Sequence, residues 1–369
     1  MRSCAIRSAK SALTGIQART YSQAAAAAGA TTAPPRHLLS IGDLKPREFA
    51  GLVRNAASHK AAIKAGTIPA DFSTGLAGKT VAMMFNKRST RTRVSTEAAV
   101  AMLGGHPMFL GKDDIQLGVN ESLYDSSVVI SSMTSCMVAR VGPHSDITQL
   151  AEHSSVPVIN ALSDDFHPMQ AIADFLTIHQ SLAYAESSYT SSASGLGLRG
   201  LKVAWVGDSN NVLFDLATAC MMMGVDITVA SPQGYGIPDY MRQRIVKAGD
   251  GVEGRGHLFE TTVPEEAVKG ADIIVTDTWI SMGQESEKKK RLDAFAGYQV
   301  TNELAKRGGA KEDWKFMHCL PRHQEEVSDE VFYGPRSLVF PEAENRLWAA
   351  LAVLEGFVVN KGEFDVSKW

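Results

Sequence analysis

The 369-residue sequence has few cysteines and no long apolar run. Its four cysteines, Cys4, Cys136, Cys220 and Cys319, lie far apart and form no CxxC pair. This spacing argues against a disulfide framework or a zinc cluster, and it fits a reducing compartment. No stretch of about 18 consecutive apolar residues occurs, so no membrane span is predicted. A formal charge of −3 excludes a whole-chain basic footprint for nucleic acid.

Acidic residues are missing from the first 42 positions. Five basic residues precede the first acid, Asp43, so residues 1–42 carry a charge of +5 and the remainder −8. Arg, Ser and Ala dominate residues 1–22, and apolar residues recur there at helical spacing, which is typical of a mitochondrial transit peptide. Arg19–Ser22 resembles a matrix-processing site. The alternative for the whole of residues 1–22 is a disordered tail. We assign residues 1–35 to a transit peptide and linker.

The rest of the chain alternates strand-like and helix-like segments, which predicts parallel sheets. Two segments with clear strand character are Thr80–Phe85 and Asp226–Ala230. A Ser- and Gly-rich stretch at 187–200 predicts a domain boundary. The predicted fold class is α/β, with two open parallel-sheet domains, 36–186 and 187–340, and the active site between them. A C-terminal helix within 341–369 is expected to pack back on the first domain.

A cluster of cations and hydroxyl groups, Lys87–Arg93, follows the first predicted strand. Ser89 can cap the next helix, which leaves backbone N–H groups free in its first turn. Those groups, the helix dipole and the nearby cations predict a site for a dianionic phosphate. A solvated charge run is the alternative.

The glycine fingerprints of nucleotide sites are missing. Lys87–Arg93 lacks the glycines of a Walker loop, so a nucleoside triphosphate is not implied. The strand-to-helix turn Val206–Asn211 lacks GxGxxG, which leaves little support for an NAD-linked oxidoreductase. A later charge run, Lys288–Arg291, is predicted to be a solvated face.

Four motifs resemble those of the aspartate/ornithine carbamoyltransferase family, in the family's order along the chain. Ser89–Arg93 is similar to its carbamoyl-phosphate motif, and His167–Gln170 to its His-Pro-x-Gln element. His318–Arg322 reads His-Cys-Leu-Pro-Arg, as in the ornithine branch, where the aspartate branch has proline in place of cysteine. Asp277–Gly283 resembles the substrate loop of the ornithine branch.

The resemblance implies transfer of the carbamoyl group of carbamoyl phosphate to the δ-amine of L-ornithine, giving L-citrulline and phosphate in arginine biosynthesis. Similarity around Lys112–Leu123 and Pro341–Trp348 indicates the eukaryotic, mitochondrial type, located in the matrix. The family reaction needs no metal or organic cofactor, because positioning and electrostatics carry this acyl transfer. A homotrimer with shared active sites is also implied, and neither nucleic acid nor a membrane is expected as a partner.

The resemblance further implies which residues bind carbamoyl phosphate. Arg140, His167 and the Thr90 hydroxyl are expected to stabilise the charge that develops on the carbamoyl oxygen. The carbamoyl NH2 is expected to donate to Gln170 and to the Leu320 carbonyl. The complete set is Ser89, Thr90, Arg91, Thr92, Gln116, Arg140, His167, Gln170, Cys319, Leu320 and Arg346, with Arg93 as an outer charge. Gln116 is expected to reach a neighbouring subunit's site, and a surface-loop glutamine is the alternative.

Ornithine must lose a proton from its δ-amine before it attacks. With a pKa near that of lysine, about 10.4, deprotonation at pH 8 costs about 3 kcal/mol. Cys319 is the residue expected to assist this step, and a buried small hydrophobe is its alternative reading. Asp277 and Ser281 are expected to bind the α-amine, and Asn211 and the Met282 backbone the carboxylate. An ordinary helix N-cap is the alternative for Asp277.

Two rival functions remain open at this stage. One is a carbamoyltransferase with another acceptor, such as aspartate or putrescine. Cys319 and the anionic Asp277 disfavour aspartate. Asn211, Asp277 and Ser281, which imply an α-amino acid head, disfavour putrescine. The other is a non-catalytic paralogue, which would be expected to have lost an arginine, His167 or Cys319, and none is missing.

Overall fold

The computed structural model describes residues 34–67, 72–112, 115, 121–182, 196–280 and 285–364. The predicted transit peptide and most of the Ser- and Gly-rich boundary lie outside these residues. Within them, none of the helices combines the length and the apolar character that crossing a membrane requires.

Each half of the described chain is built around one parallel sheet. The helices are α1 Pro46–Lys64, α2 Thr90–Met102, α3 Leu123–Met133, α4 His144–His153, α5 Pro168–Leu182, α6 Asn211–Met223, α7 Asp239–Lys247, α8 Pro264–Val268, α9 Lys288–Ala294, α10 Asn302–Gly308, α11 Asp329–Phe332 and α12 Val339–Leu354. The strands are β1 Thr80–Phe85, β2 His106–Gly111, β3 Cys136–Arg140, β4 Val158–Leu162, β5 Lys202–Val206, β6 Asp226–Ala230, β7 Leu258–Thr261, β8 Ile273–Val275 and β9 Lys315–Met317. Short 3-10 turns occur at Ile41–Asp43, Phe72–Thr74 and Glu285–Glu287.

The first sheet has four parallel strands in the order β2-β1-β3-β4. The central strands β1 and β3 are buried almost throughout, as strands covered on both faces by helices must be. Their register pairs Phe85 with Arg140, so the last residues of β1 and β3 lie side by side at the carboxyl edge of this sheet.

The second sheet has five parallel strands in the order β7-β6-β5-β8-β9. From β5 the strand order runs to β6 and β7 on one side and to β8 and β9 on the other. Where the order reverses, a crevice forms at the carboxyl ends of the strands, and such crevices are the usual ligand sites of open α/β sheets. Helix α6 follows β5; the Asn210 side chain caps its first turn, and it ends at Gly224 in the left-handed conformation, with φ 73°. Two open parallel-sheet α/β domains confirm the predicted fold class.

The C-terminal helix α12 packs against α5, α2 and α1, all of which belong to the first half of the chain. Lys60 of α1 and Thr177 of α5 both bond to Asn345 in α12, at 2.7 and 2.8 Å. A single turn of π-helix, Glu355–Val359, extends it. This helix therefore carries residues that follow the second sheet in the chain back to the first domain.

Candidate active site

A cavity of about 1150 Å³ lies between the carboxyl ends of the two sheets. Apart from the outer charge Arg93, it is lined by every predicted site residue that the structure describes: Ser89, Thr90, Arg91, Thr92, Arg140, His167, Gln170, Asn211, Asp277, Cys319, Leu320 and Arg346. The other three predicted residues, Gln116, Ser281 and Met282, lie outside the described residues. Ser89 and Arg346, which are 257 positions apart in the sequence, therefore line one cavity.

The N-terminus of α2 forms one wall of this cavity. Ser89 adopts an extended backbone conformation and its Oγ accepts from the Thr92 N–H at 3.3 Å, as expected for an N-cap. The Arg91 guanidinium donates to the Leu320 carbonyl across the cavity. A helix start with hydroxyl and guanidinium groups beside it is suited to an anion.

Arg93 of the same motif makes its contacts elsewhere. Its guanidinium lies 3.7 Å from the centre of the Phe109 ring and pairs with Glu97 at 2.9 Å. It does not line the cavity. On α2 the position two after Arg91 faces β2, so any effect of Arg93 on the phosphate acts from outside the cavity, and its role as an outer charge stays a prediction.

Two further arginines and a histidine are buried at the back of the same wall. Burial, followed by the neighbouring Arg346 and Arg91, lowers the pKa of Arg140 to about 10. Burial likewise lowers the pKa of Arg346 to about 10. The His167 pKa lies well below its usual range, because of burial and then the adjacent Arg346 and Arg140. The wall is thus a concentration of positive charge, with His167 neutral.

The opposite wall carries negative charge. The Asp277 carboxylate accepts from Asn210 Nδ2 at 2.8 Å and from Cys319 Sγ at 3.0 Å. Burial raises the pKa of the Cys319 thiol well above its ordinary value, and the Asp277 charge raises it further. Cys319 is therefore a thiol that donates to a carboxylate. These contacts differ from the alternatives considered for the two residues, a helix N-cap for Asp277 and a buried small hydrophobic residue for Cys319.

The turn after β9 brings Cys319 into the cavity. Leu320 has φ 64°, a left-handed conformation that is uncommon for a residue other than glycine. Its N–H donates to His318 Nδ1 at 2.9 Å, and His318 Nε2 lies 3.2 Å from Glu326. The buried His318–Glu326 pair therefore holds the backbone of this turn.

Two models of known protein families match most of the chain. The aspartate/ornithine carbamoyltransferase carbamoyl-P binding domain matches residues 36–180, and the Asp/Orn binding domain of the same family matches residues 199–357.

The chain belongs to the aspartate/ornithine carbamoyltransferase family.

Curated relatives and solved structures agree with this. The mitochondrial ornithine carbamoyltransferase of Coccidioides immitis is 71% identical over 329 residues, which cover 89% of this chain and 94% of the relative. The crystal structure of a mitochondrial ornithine carbamoyltransferase from Coccidioides immitis superposes with a TM-score of 0.83 at 68% identity, covering 89% of this chain and 99% of the other. The ornithine carbamoyltransferase from Pyrococcus furiosus gives a TM-score of 0.79 at 40% identity, covering 89% and 98%.

Within this family member, one prediction about the charge run Lys288–Arg291 is wrong. The three lysines are exposed, but Arg291 is buried. It pairs with Asp208 at 3.1 Å and donates to the Trp279 carbonyl at 3.0 Å. Burial raises the pKa of Asp208 to about 6, against the opposing effect of Arg291. Arg291 therefore lies on the buried side of α9, against Asp208 and Trp279, and the run of like charges in the sequence did not indicate this.

A buried carboxylate that none of the sequence motifs indicates lies behind His167. Asp215 of α6 is fully buried, and its two oxygens accept from the backbone N–H groups of Ile41 and His167, each at 2.8 Å. Burial raises its pKa to about 8, whereas those two hydrogen bonds favour the charged form. Because both oxygens accept, we assign the ionised state. The sequence signal for Asp215 is that it is the single acidic residue in a predominantly apolar helix, Asn211–Met223.

The described residues contain one group with the donor atoms for a metal ion. Atoms of Asp277, His318 and Cys319 lie within 4.8 Å of one another. Both ring nitrogens of His318 are already engaged, with Glu326 and with the Leu320 N–H. Binding of a metal at this group would therefore break existing hydrogen bonds.

Proposed function

We propose that this protein is an ornithine carbamoyltransferase, which transfers the carbamoyl group of carbamoyl phosphate to the δ-amine of L-ornithine and releases L-citrulline and phosphate. The observation that carries the proposal is the cavity itself, with a cationic helix N-terminus on one wall and the Asp277–Cys319 pair on the other. The first wall suits a phosphate and the second an ammonium group. The similar proteins of Coccidioides immitis and Aspergillus niger are both named mitochondrial ornithine carbamoyltransferase.

The phosphate of carbamoyl phosphate binds at the first turn of α2, to Ser89, Thr90, Arg91 and Thr92. The phosphate group gains negative charge as its bond to the carbamoyl carbon breaks. The cations at this wall therefore stabilise the transition state more than the ground state. Arg140 directs its charge to the carbamoyl oxygen, on which negative charge grows as the nucleophile attacks. On this basis, residues 36–186 form the carbamoyl-phosphate domain and 187–340 the ornithine domain.

The hydrogen bonding of His167 indicates which tautomer acts. Its Nε2 lies 3.4 Å from Arg346 Nη1, a group that only donates, so Nε2 accepts. Since the ring is neutral, Nδ1 carries the hydrogen. No described residue accepts a hydrogen bond from Nδ1. We assign this N–H to the carbamoyl oxygen, beside Arg140 and the Thr90 hydroxyl.

The acceptor amine approaches from the other wall. The Asp277 carboxylate, with Ser281, binds the α-ammonium group of ornithine; Asn211 and the Met282 backbone bind its carboxylate. A neutral thiol takes up a proton only as its own hydrogen departs. The 3.0 Å bond from Cys319 Sγ to Asp277 gives that hydrogen an acceptor, so Cys319 can relay the δ-amine proton to the carboxylate.

A homotrimer with shared sites is part of the proposal. Several large apolar side chains of consecutive elements in the first domain are exposed: Val94, Met108, Tyr124, Val128, Val129 and Met133. Met133 is 70% and Val94 60% exposed. Apolar groups concentrated over residues 94–133 are suited to a subunit interface. Gln116, which lies between β2 and α3 in the sequence and outside the described residues, is assigned by this proposal to a neighbouring subunit's site.

We place the protein in the mitochondrial matrix. The relatives from Coccidioides immitis and Aspergillus niger are called mitochondrial, and the acid-free, basic residues 1–22 have the composition of a transit peptide. Sequencing of the N-terminus of the protein isolated from mitochondria tests this placement. The expected mature form begins near Ser22, and an intact Met1 would contradict an imported, processed enzyme.

The decisive experiment offers carbamoyl phosphate with ornithine, aspartate or putrescine in turn. Citrulline should form with ornithine, and the other two acceptors should give rates lower by at least 10³-fold, since the buried polar groups of the site would be left unpaired. Product from aspartate or putrescine alone would establish the rival acceptor. Absence of product from all three, with carbamoyl phosphate still bound, would establish a non-catalytic paralogue.

A further inference from the structure

The amide of Gln170 is held in one orientation by two buried carboxyl groups. Its Nε2 donates to Asp174 Oδ1 at 2.7 Å and to Glu342 Oε1 at 3.0 Å. Its oxygen accepts from Arg346 Nη1 at 2.6 Å. A half-turn of the amide would face its oxygen to two carboxyl oxygens and its NH2 to a guanidinium, so both ends would lose their partners.

Glu342 extends this arrangement to the other wall. Its second oxygen accepts from the His318 backbone N–H at 2.9 Å, directly before Cys319. One carboxyl group in α12 therefore contacts α5 of the first domain and the end of β9 in the second. Gln170, Asp174 and Glu342 are all at most 2% exposed, so water does not substitute for these partners.

We propose that Asp174 and Glu342 are positioning residues that keep the Gln170 amide oxygen facing the substrate, so that the site selects an acyl phosphate whose acyl group bears an N–H donor. This rests on the proposed function, in which Gln170 accepts from the carbamoyl NH2. An amide oxygen has two lone pairs, and Arg346 uses one. The remaining lone pair favours carbamoyl over a methyl-bearing acyl group of the same shape.

Glu342 must be a carboxyl group for this role. Both of its oxygens accept from N–H groups, one in the Gln170 amide and one in the backbone. An amide at this position has a single acceptor oxygen. If that oxygen served His318, its NH2 would face the Gln170 NH2 and favour the reversed Gln170 amide. The substitution Glu342→Gln therefore changes orientation with almost no change in volume.

Burial of two neighbouring carboxyl groups supports this arrangement. It raises the pKa of Asp174 to about 7 and that of Glu342 well above its usual range. Near neutral pH the pair thus retains a proton, and the two groups can lie against one amide without the full repulsion of two charges.

The test compares two inhibitors that differ only in the group of interest. Phosphonoacetamide carries an NH2, and acetonylphosphonate has a methyl group in its place. The inhibition constants of both against carbamoyl phosphate are measured for the wild type, Glu342→Gln and Asp174→Leu. We expect the wild type to prefer the amide and Glu342→Gln to lose that preference by about tenfold, the value of a lost hydrogen bond in a buried site. Asp174→Leu, which keeps one acceptor for Nε2, should lose a smaller part.

Glu326→Gln is the matched control. Glu326 is equally buried and also bonds to His318, but its side-chain hydrogen bonds go to His318, His323 and Trp279 and not to Gln170. This variant should be less active than the wild type, but the ratio of its two inhibition constants, acetonylphosphonate over phosphonoacetamide, should stay within twofold of the wild-type ratio. If Glu342→Gln folds and keeps the wild-type ratio, or if Glu326→Gln loses the ratio equally, the proposal is overturned. If Glu342→Gln does not fold, an unchanged ratio in Asp174→Leu overturns it.

Gln170→Met separates this proposal from the function on which it rests. If Gln170→Met loses the preference for phosphonoacetamide while Glu342→Gln keeps it, the positioning role alone is overturned. An unchanged ratio in Gln170→Met would contradict the assignment of Gln170 to the carbamoyl NH2. Failure of the wild type to bind either phosphonate would contradict the proposed function itself.

Discussion

The two walls of the cavity differ in how completely their charges are paired. On the phosphate side, Arg140 has no ion pair among the described residues, and its pKa is lowered by burial and by other arginines. On the ornithine side, Asp277 accepts from Asn210 and Cys319, and Asp208 pairs with Arg291. The first wall is preorganised for an anion that the protein does not itself supply. In the second wall the carboxylates already have hydrogen-bond and ion-pair partners within the protein.

The largest expected effect follows from the unpaired wall. Arg140→Leu should lower kcat/KM by about 10³-fold, because it removes a donor aimed at the developing oxyanion. The same change should raise Tm, since a buried cation among other cations disfavours the folded state. Steady-state kinetics and a thermal melt in phosphate-free buffer measure both. A lower Tm would show that Arg140 is paired in the folded protein and would remove the contrast between the walls.

The next effect concerns the paired wall. Cys319→Ala should lower kcat by about 10²-fold, the usual worth of a positioned proton acceptor. The KM for carbamoyl phosphate should stay within threefold, because the first wall is unchanged. Between pH 7 and 9 the rate of the variant should rise about tenfold per pH unit, as the free δ-amine becomes available from solution. An unchanged kcat and pH profile would remove Cys319 from the mechanism.

A smaller effect concerns the pH dependence of stability. The pKa of Asp208 is about 6 in the folded protein, against about 3.9 for an unperturbed aspartate. A raised carboxyl pKa stabilises the folded state at low pH, and this contribution is lost as the pH rises from about 4 to 6. The loss amounts to roughly 3 kcal/mol. Asp208→Asn should abolish it.

Urea unfolding at pH 4 and at pH 7 measures that change. The difference in unfolding free energy, wild type minus variant, should fall by roughly 3 kcal/mol between the two pH values. Other buried carboxyl groups affect both proteins equally and cancel in this difference. A difference independent of pH would mean that the Arg291 charge fully offsets burial.

The smallest effect on catalysis is expected at Arg93. Since its guanidinium lies on Phe109 and outside the cavity, Arg93→Ala should leave kcat/KM per folded enzyme within threefold. It should lower the unfolding free energy by about 1 kcal/mol through the lost ring contact. Arg91→Ala, the matched variant two residues earlier, should instead raise the KM for carbamoyl phosphate strongly. Equal effects of the two would contradict the different positions of these arginines.

Local signals predicted much of this molecule correctly. The strands Thr80–Phe85 and Asp226–Ala230 were predicted with the bounds observed, because short apolar runs flanked by polar residues are typical of buried strands. The edge strands β2 and β7 were missed. They are half-exposed and mix polar with apolar residues, so neither alternation nor a continuous apolar run marks them.

The site residues likewise divide into those that local motifs indicate and those that only the fold brings into the site. The sequence by itself determined the motifs, since Ser89–Thr92, His167–Gln170 and His318–Leu320 are each made of neighbours along the chain. Only the tertiary structure decided what surrounds them. Asp215 reaches His167 across 48 positions, and Glu342 reaches Gln170 across 172. A carboxyl group shows its role only through its partner, and nothing in the local sequence identifies a partner that the fold brings in from another domain.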